Sequence, residues 1–344
     1  MQEVRNHDLK VVPRPAYLVH EVAIQFENHY HYGMINYQTL RARVLLTAVP
    51  FLALTACGSS DSAENADADL PQIVVTYSIL GSLVSDVVGS SAQVTVLMPN
   101  GVDPHEWEPS AKDIETLNNA DLVVTNGLGL EGGLADVIEQ AVQEKVSVFV
   151  ATDHIKVRLV GEGEGADPSD ADQSVGAEDP HLWMDPMTLI DVVEALVETL
   201  ALANIDVTEQ GMKVTEDLAT LDNEVGKMVG EIPADKRQLV TGHESLGYFA
   251  ARYGFSLTGA VIPGLSSESE SAAGDLSALK EKIVEQQVNV IFTELGTDRD
   301  VVDALATDAG VTVVELSTHF LPTDGSYRSF LIDLASTIVN ALKS

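Results

Sequence analysis

The chain reads IVVTYSILGSLVSDVVGSSAQVTVLM from residue 73 to residue 98. Residues 73–76 form a short apolar run that predicts a strand, and residues 94–98 form a second one. Between them Leu80, Leu83, Val84 and Val87 recur at spacings of three and four, which predicts an amphipathic helix. A strand, a helix and a strand in this order indicate parallel strands with a covering helix, the unit of an α/β layer.

The same alternation continues along the chain and then restarts. In the first half it predicts strands at 122–125 and 146–150, with helices from about 110 and at 134–143. After residue 237 it predicts strands at 238–241, 257–261, 290–293 and 311–316, with helices at 246–253, 276–285, 301–309 and 327–342. We therefore predict an α/β protein with two Rossmann-like lobes, parallel sheets flanked by helices, at 71–204 and 233–344.

One long helix is predicted between these lobes, at 205–232. Its apolar residues follow one another at spacings of four and three along a single stripe: Val214, Leu218, Leu221, Val225, Met228 and Ile232. Pro233 ends it. A helix of this length would reach roughly 40 Å, so we expect it to join the two lobes as a rigid element.

The composition excludes some classes of partner. The chain has 344 residues, with 53 Asp and Glu against 19 Lys and Arg, a formal charge of −34. Such a surface repels phosphate backbones, so we expect no nucleic-acid partner. Cys57 is the single cysteine, so an intramolecular disulfide is excluded.

The segment before Cys57 has the layout of an export signal. Arg41 and Arg43 precede the apolar run 44–54, which is too short to span a bilayer, and small residues follow it. The sequence Leu-Thr-Ala-Cys at 54–57 resembles the lipobox of bacterial lipoproteins, and this resemblance implies cleavage before Cys57 and lipidation of its sulfur. We expect a signal peptide at 34–56 and a flexible tether at 57–70, and hence an extracytoplasmic protein anchored to the outer face of the cell membrane.

Two further segments lie outside the predicted lobes' regular structure. Residues 1–33 are polar and fit no export signal, so we expect a non-native or unstructured extension, with Met34 as the natural start. Residues 161–179 are rich in Gly, Asp and Glu and predict an acidic surface loop. Their spacing departs from an EF-hand, because His181 stands where a bidentate Glu is required.

Four histidines are the candidate metal ligands: His105, His181, His243 and His319. Three of them follow predicted strands directly or after a short turn, and two come from each predicted lobe. In α/β sheets ligands gather beyond the carboxyl ends of the strands, so these side chains are expected to converge on one crevice. His154, beside Asp153, is expected to lie at the surface.

The segments around two of these histidines repeat each other. Asp-Pro-His-x-Trp occurs at 103–107 and again at 179–183. Proline before histidine restricts the backbone and limits the entropy lost when the ligand is ordered. Three nearby carboxylates, Asp103, Asp185 and Glu244, are candidates to accept hydrogen bonds from the imidazoles and orient them.

With these motifs the chain resembles the metal-binding receptors of bacterial ABC transporters for zinc and manganese, the cluster A-I or TroA-like group. The resemblance covers essentially 72–344, and five segments carry it: 103–109 (DPHEWEP), 126–131 (NGLGLE), 180–186 (PHLWMDP), 243–250 (HESLGYFA) and 314–319 (VELSTH).

The resemblance implies a function and a ligand set. The expected activity is capture of a metal ion between the lobes and delivery to a permease in the membrane, by a monomer that is not an enzyme. Family ligands carry over onto His105, His181 and His243. The fourth family ligand is usually Asp or Glu, or is absent, and here the position is occupied by His319, a departure from the family pattern.

The choice of metal depends on that fourth ligand. Four imidazoles suit tetrahedral Zn²⁺, whereas Mn²⁺ prefers oxygen ligands and remains the alternative; Cu²⁺ and Ni²⁺ also accept imidazole. A secreted zinc hydrolase is the rival from another class, although His-Glu-x-x-His is absent because position 247 is Gly. A third hypothesis is that the protein is a surface adhesin, a function that is compatible with metal transport.

Overall fold

Four parallel strands build the sheet of the first half of the molecule. The computed structural model describes residues 70–162, 164, 174–269 and 271–343. The strands are β1 (Gln72–Val75), β2 (Gln93–Val96), β3 (Leu122–Thr125) and β4 (Val148–Val150), in the order β2-β1-β3-β4. They are separated along the chain by helices α1 (Ser78–Val88), α2 (Ala111–Asn118) and α3 (Ala135–Gln143). The predicted alternation of parallel strands and helices is confirmed.

Burial explains why these short segments become regular structure. All four residues of β3 are buried, as expected for a central parallel strand covered on both faces. Helix α1 buries Leu80, Leu83, Val84 and Val87, the stripe that the sequence predicts. Helix α2 begins with a capping box between Ser110 and Asp113, which satisfies backbone N–H groups at its first turn.

The second half repeats the same architecture in pairs of parallel strands. Strand β5 (Gln238–Thr241) pairs with β6 (Ser256–Ala260), and β7 (Val290–Thr293) pairs with β8 (Thr312–Glu315). Strand β5 also lies beside β7. The intervening helices are α6 (Gly247–Tyr253), α7 (Ala273–Glu285) and α8 (Arg299–Ala309). The α/β class therefore holds for both halves.

Two consecutive helices connect the halves. Helix α4 (Pro186–Leu202) leads into α5 (Thr208–Val229), whose 22 residues correspond to roughly 33 Å. Helix α5 is shorter than the predicted 205–232: Val229 is its last residue, Met228 is only half-buried, and Ile232 is buried beyond the helix end. It packs against α4, α1 and the final helix α9 (Tyr327–Lys343).

The apolar core crosses the predicted lobe boundary. One cluster of buried side chains includes β1 and β3 together with α4, α5, part of α6 and α9. A second cluster is confined to the second half, around Val240, Ile291 and Val302. Because α9 contacts α5 and α1, the C-terminal helix belongs as much to the first half as to the second. The predicted boundaries at 204 and 233 stay a prediction.

Several sequence expectations fall outside the residues that the structure describes. They are the extension at 1–33, the signal at 34–56, Cys57 and nearly all of its tether, and most of the acidic loop. Within the described part of the chain, no helix combines the length and the apolar character needed to cross a membrane.

Candidate metal centre

The four candidate histidines meet at one point in the structure. One ring nitrogen from each of His105, His181, His243 and His319 lies within 4.8 Å of the others. The Nε2 atom of His181 is 3.4 Å from Nε2 of His105 and 3.3 Å from Nε2 of His243. All four side chains are buried. The convergence that the sequence predicts is therefore present in the geometry.

Strand ends and short turns deliver these side chains. His243 follows β5 by two residues, and His319 follows β8 by four. His105 lies beyond β2 after a turn, and His181 precedes a single 3₁₀ turn, Leu182–Met184, that leads into α4. The carboxyl ends of parallel strands thus supply three of the four ligands, as they supply sites in α/β folds generally, and the turn before α4 supplies the fourth.

The repeated Asp-Pro-His sequence is a repeated local structure. Asp103 Oδ1 accepts a hydrogen bond from the backbone N–H of His105 at 3.0 Å, and Asp179 Oδ1 accepts one from His181 at 3.0 Å. An aspartate that bonds the backbone two residues on closes a tight turn. With the proline between them fixing φ, each turn presents its histidine in one defined direction.

Asp179 also orients the imidazole of His181, a role that the sequence analysis did not assign. Its Oδ1 lies 2.9 Å from His181 Nδ1, and its side chain is fully buried. This contact fixes the tautomer that leaves Nε2 free for an ion. The sequence signal was available, since Asp179 occupies the same place in its motif as Asp103.

Glu294 plays the corresponding part for His243 and was also missed. Its Oε1 accepts the backbone N–H of His243 at 2.9 Å and lies 3.2 Å from the ring Nδ1, an ion-pair distance without hydrogen-bond alignment. Its Oε2 accepts the Ser245 hydroxyl at 2.7 Å. Glu294 directly follows buried strand β7, which is the only hint that the sequence offers.

The three carboxylates expected to hold the imidazoles do other work. Asp103 bonds the His105 backbone and accepts the Ser267 hydroxyl at 2.8 Å, so it joins the two halves. Asp185 caps α4 by accepting a hydrogen bond from the backbone N–H of Met187 at 2.8 Å. Within the part of the chain that the structure describes, neither Asp103 nor Asp185 forms a hydrogen bond or an ion pair with an imidazole ring.

Glu244 is a buried carboxyl without a direct role in orienting a ring. Its Oε1 has no hydrogen-bond partner within the described residues. Burial, followed by the charges of Glu164 and Asp179, raises its pKa well above the usual value. Burial therefore favours the neutral form of this carboxyl, which follows His243 in the chain.

The surroundings of His319 are those expected of a metal ligand. Its Nδ1 lies 2.9 Å from the Thr318 hydroxyl, while its buried Nε2 has no hydrogen-bond partner among the described residues. Its ring stacks on that of His243 at 5.2 Å between centroids. Trp183 donates its indole N–H to the Thr318 carbonyl at 2.9 Å and fixes this segment. A buried, unpaired imidazole nitrogen facing three others suits a metal ion.

Asn126 and Glu131 support the site from the first sheet. The Asn126 side-chain amide donates to the Pro180 carbonyl at 2.9 Å, directly before His181. Glu131 in turn accepts the Asn126 backbone N–H at 2.7 Å and the Thr76 hydroxyl at 2.6 Å. The Asn-Gly-Leu-Gly-Leu-Glu segment therefore acts by holding the His181 turn in place.

The electrostatics favour the neutral form that binds metals at two of the four histidines. Burial, reinforced by the neighbouring imidazoles, lowers the pKa of His105 and of His319 well below the usual value. Burial opposes protonation of His243 too, but Glu294 more than compensates and raises its pKa. His243 is thus where a proton competes with a metal ion for the site.

The donor set fits a closed site for a borderline-soft divalent cation. Four imidazole nitrogens from four separate segments approach one another, and no carboxylate is among the possible ligands that the described residues bring together. Such a set matches tetrahedral Zn²⁺ and supplies none of the oxygen ligands that Mn²⁺ prefers. His154, by contrast, is exposed and stacks on Phe149, as expected of a surface residue.

Comparison with known proteins gives one consistent result. Residues 73–341 match the family described as zinc-uptake complex component A, periplasmic. The manganese-binding lipoprotein MntA of Bacillus subtilis is 31% identical over 315 residues, covering 87% of this chain and 99% of the relative. The zinc-binding protein TroA of Treponema pallidum is 30% identical over 303 residues, covering 83% of this chain and 92% of the relative.

The solved structures agree. The periplasmic zinc-binding protein TroA of Treponema pallidum superposes with a TM-score of 0.69 at 28% identity, over 79% of this chain and 99% of that one. This likeness confirms two α/β lobes. The names of the relatives include both zinc and manganese, so the comparisons do not distinguish between these two metals.

Proposed function

This chain belongs to the zinc-uptake complex component A family, and on that premise we propose that it captures one Zn²⁺ ion extracellularly and delivers it to an ABC-type permease for import. The observation that supports the proposal most is the cluster of four buried histidines with converging ring nitrogens. Mn²⁺ is the second candidate, because relatives such as MntA are named for it.

The preference for zinc rests on the nature of the ligands. All four are nitrogen donors, and the two aspartates of the repeated turns bond the backbone of His105 and His181 instead of facing the ion's position with a free oxygen. Manganese would therefore have to be held with few or no oxygen ligands, which is unfavourable for that ion. The departure from the family pattern at His319 is thus what points to zinc.

Capture requires the two halves to meet around the ion. His105 and His181 come from the first half, and His243 and His319 from the second. Two hydrogen bonds reach across beside them, from the Ser267 hydroxyl to Asp103 and from the Trp183 indole to the Thr318 carbonyl. Release would need these contacts to open locally or a ligand to be protonated, because a rigid α5 limits hinge motion.

The proposed location follows from the N-terminal sequence and the relatives. Cys57 would carry the lipid anchor, and 57–70 would tether the receptor near its permease. The relatives named as lipoproteins include MntA and the manganese receptor PsaA of Streptococcus pneumoniae. Mass spectrometry of the protein from membranes tests this: an unmodified Cys57 would contradict the anchor.

The secreted-hydrolase alternative gains no support. A catalytic zinc keeps one position for water and needs a general base beside it. Here four histidines leave no open position in a tetrahedral site, and relatives such as PsaA are named as substrate-binding lipoproteins of ABC transporters. Family members of this kind bind and deliver metal without catalysis.

Elemental analysis after competition tests the proposal. The mature chain is equilibrated with equal Zn²⁺, Mn²⁺ and Cu²⁺ and its metal content measured, beside His319→Ala, His319→Asp and the exposed control His154→Ala. We expect zinc in the wild type and in the control. Structural zinc sites bind with ~10–16 kcal/mol, about 2.5–4 kcal/mol for each of four ligands, so His319→Ala should lose about 60- to 700-fold in affinity.

His319→Asp should shift the preference toward manganese, since it restores an oxygen ligand. If His319→Ala keeps the wild-type metal content and preference, the fourth ligand is wrong. If the wild type takes up manganese in preference to zinc, the proposed cargo is wrong although the receptor function stands.

A further inference from the structure

A chain of charged contacts leads from the acidic loop to a metal ligand. The guanidinium of Arg158 bonds Glu164 Oε2 at 2.5 Å through Nη2 and Asp179 Oδ2 at 3.1 Å through Nη1. The other oxygen of Asp179 contacts His181 Nδ1 at 2.9 Å. Asp179 thus links Arg158 to the imidazole of His181, whose Nε2 lies within 3.4 Å of a ring nitrogen of two other candidate ligands.

Asp179 depends on this arginine. A fully buried carboxylate is costly unless its lone pairs are satisfied and its charge is paired. Oδ1 is occupied by the backbone N–H and the ring of His181, so Oδ2 would be unsatisfied without Arg158. The planar fork of arginine can serve two carboxylates at fixed angles, which lysine cannot do.

Two residues of the second half, Tyr248 and Gly247, lie against the contact between Arg158 and Asp179. The Tyr248 hydroxyl accepts the backbone N–H of Arg158 at 2.9 Å. At Gly247 an added Cβ would lie 2.3 Å from Asp179 Oδ2 and 2.5 Å from Arg158 Nη1. The backbone of Gly247 is not left-handed, so its conformation does not require glycine. The absence of a side chain instead leaves room for the contact between Asp179 and Arg158. Gly247 opens α6, four residues after His243.

From this geometry we propose that Arg158 is a positioning residue for the ligand His181, acting through Asp179, and that Gly247 provides the space in which the pair assembles when the halves meet. Arg158 holds the carboxylate, the carboxylate holds Nδ1, and Nε2 is thereby aimed at the ion. The inference rests on the proposed function, since it concerns how tightly and in what geometry the metal is held.

Four variants of the mature chain test the idea: Arg158→Met, Arg158→Lys, Gly247→Ala and the control Arg299→Met. Arg299 forms an exposed i,i+4 pair with Asp303, so its loss removes the same charge away from the site. Zinc affinity is measured by chelator competition, and ligand geometry by the visible absorption of the Co²⁺-loaded protein. Thermal unfolding of the metal-free chain is recorded beside them.

Loss of an outer partner of a metal ligand costs about 10- to 100-fold in affinity. We expect that loss for Arg158→Met and Gly247→Ala, with altered Co²⁺ bands, partial recovery in Arg158→Lys and no change in Arg299→Met. A purely structural role would lower the melting temperature of Arg158→Met and leave its affinity and Co²⁺ spectrum as in the wild type. That result overturns the inference. A wild type that binds neither zinc nor cobalt would instead overturn the proposed function.

Discussion

Replacement of Glu294 by glutamine isolates the electrostatic part of metal binding. Glutamate and glutamine side chains have nearly the same shape, but the amide of glutamine carries no charge. In the wild type Glu294 Oε1 accepts the backbone N–H of His243 and lies 3.2 Å from Nδ1 of the ring, so it fixes the backbone that carries the ligand and polarises the ring. Burial favours the neutral acid, yet the facing His243 lowers the pKa of Glu294 well below its usual range, so the carboxylate stays charged.

The magnitude follows from that contact. Partners that orient a ligating imidazole are worth about 10- to 100-fold in metal affinity, or about 1.4–2.8 kcal/mol. Glu294→Gln should therefore bind zinc about 10- to 100-fold more weakly at pH 7.5. Glu315→Gln is the matched control, because the same change is made on an exposed residue at the end of β8.

The acid sensitivity of zinc binding should change in the opposite sense to the affinity, because the variant should be less sensitive to acid than the wild type. In the wild type Glu294 raises the pKa of His243 above its usual value against the effect of burial. Without the carboxylate, burial lowers that pKa against only the weaker effects of Asp103 and Asp179. A proton then competes with zinc only at lower pH, so Glu294→Gln should keep its remaining affinity further into acid than the wild type does.

Chelator competition between pH 5 and pH 8 measures both effects in one series. The expected pattern is a weaker site with a less acid-sensitive affinity. If Glu294→Gln matches Glu315→Gln in affinity and in pH profile, the carboxylate neither orients nor charges His243, and the reasoning fails.

Three further outcomes follow from single contacts. In the metal-free protein, NMR titration should show His243 gaining its proton above the usual histidine pKa and His319 far below it, because Glu294 faces the first and burial dominates the second; titration in the reverse order would contradict this. Asp185→Ala should lower the free energy of unfolding by about 1 kcal/mol through loss of the α4 cap while zinc affinity stays unchanged; a large loss of affinity would restore its expected role beside the metal. Ser267→Ala should speed zinc release in stopped-flow measurements, because its bond to Asp103 joins the halves; an unchanged rate would exclude that contact from release.

Much of the fold could be predicted from short-range patterns. A buried parallel strand requires a continuous apolar run, and β3 and β7 are such runs. The convergence of three of the histidines was predictable for a related reason, because ligands gather beyond the carboxyl ends of parallel strands. Local chemistry placed His105 and His181 in matching turns, since Asp and Pro act within a few residues of the ligand.

The partners of the rings were harder to predict because they are distant in sequence. Glu294 is 51 residues from His243, and only the adjacency of β5 and β7 brings them together. Asp185 illustrates the opposite error: a carboxylate near a candidate ligand can as well cap the next helix, and Pro186 at the first helical position was the sign that it does. Helix α5 ends at Val229, before its predicted limit, and Ile232 packs in the core from outside the helix.

The orienting carboxylates also bear on which ion the site suits. Four neutral imidazoles contribute no charge, so burying a cation among them is costly unless negative charge lies close by. Two carboxylates lie against imidazole rings, Asp179 at His181 and Glu294 at His243, one from each half of the molecule. Arg158 balances part of the charge at Asp179, whereas Glu294 faces His243 directly. Each carboxylate places negative charge beside a ligand that its own half contributes, so a cation is stabilised most where both ligands reach it, and the contacts that aim the imidazoles also favour a positive ion.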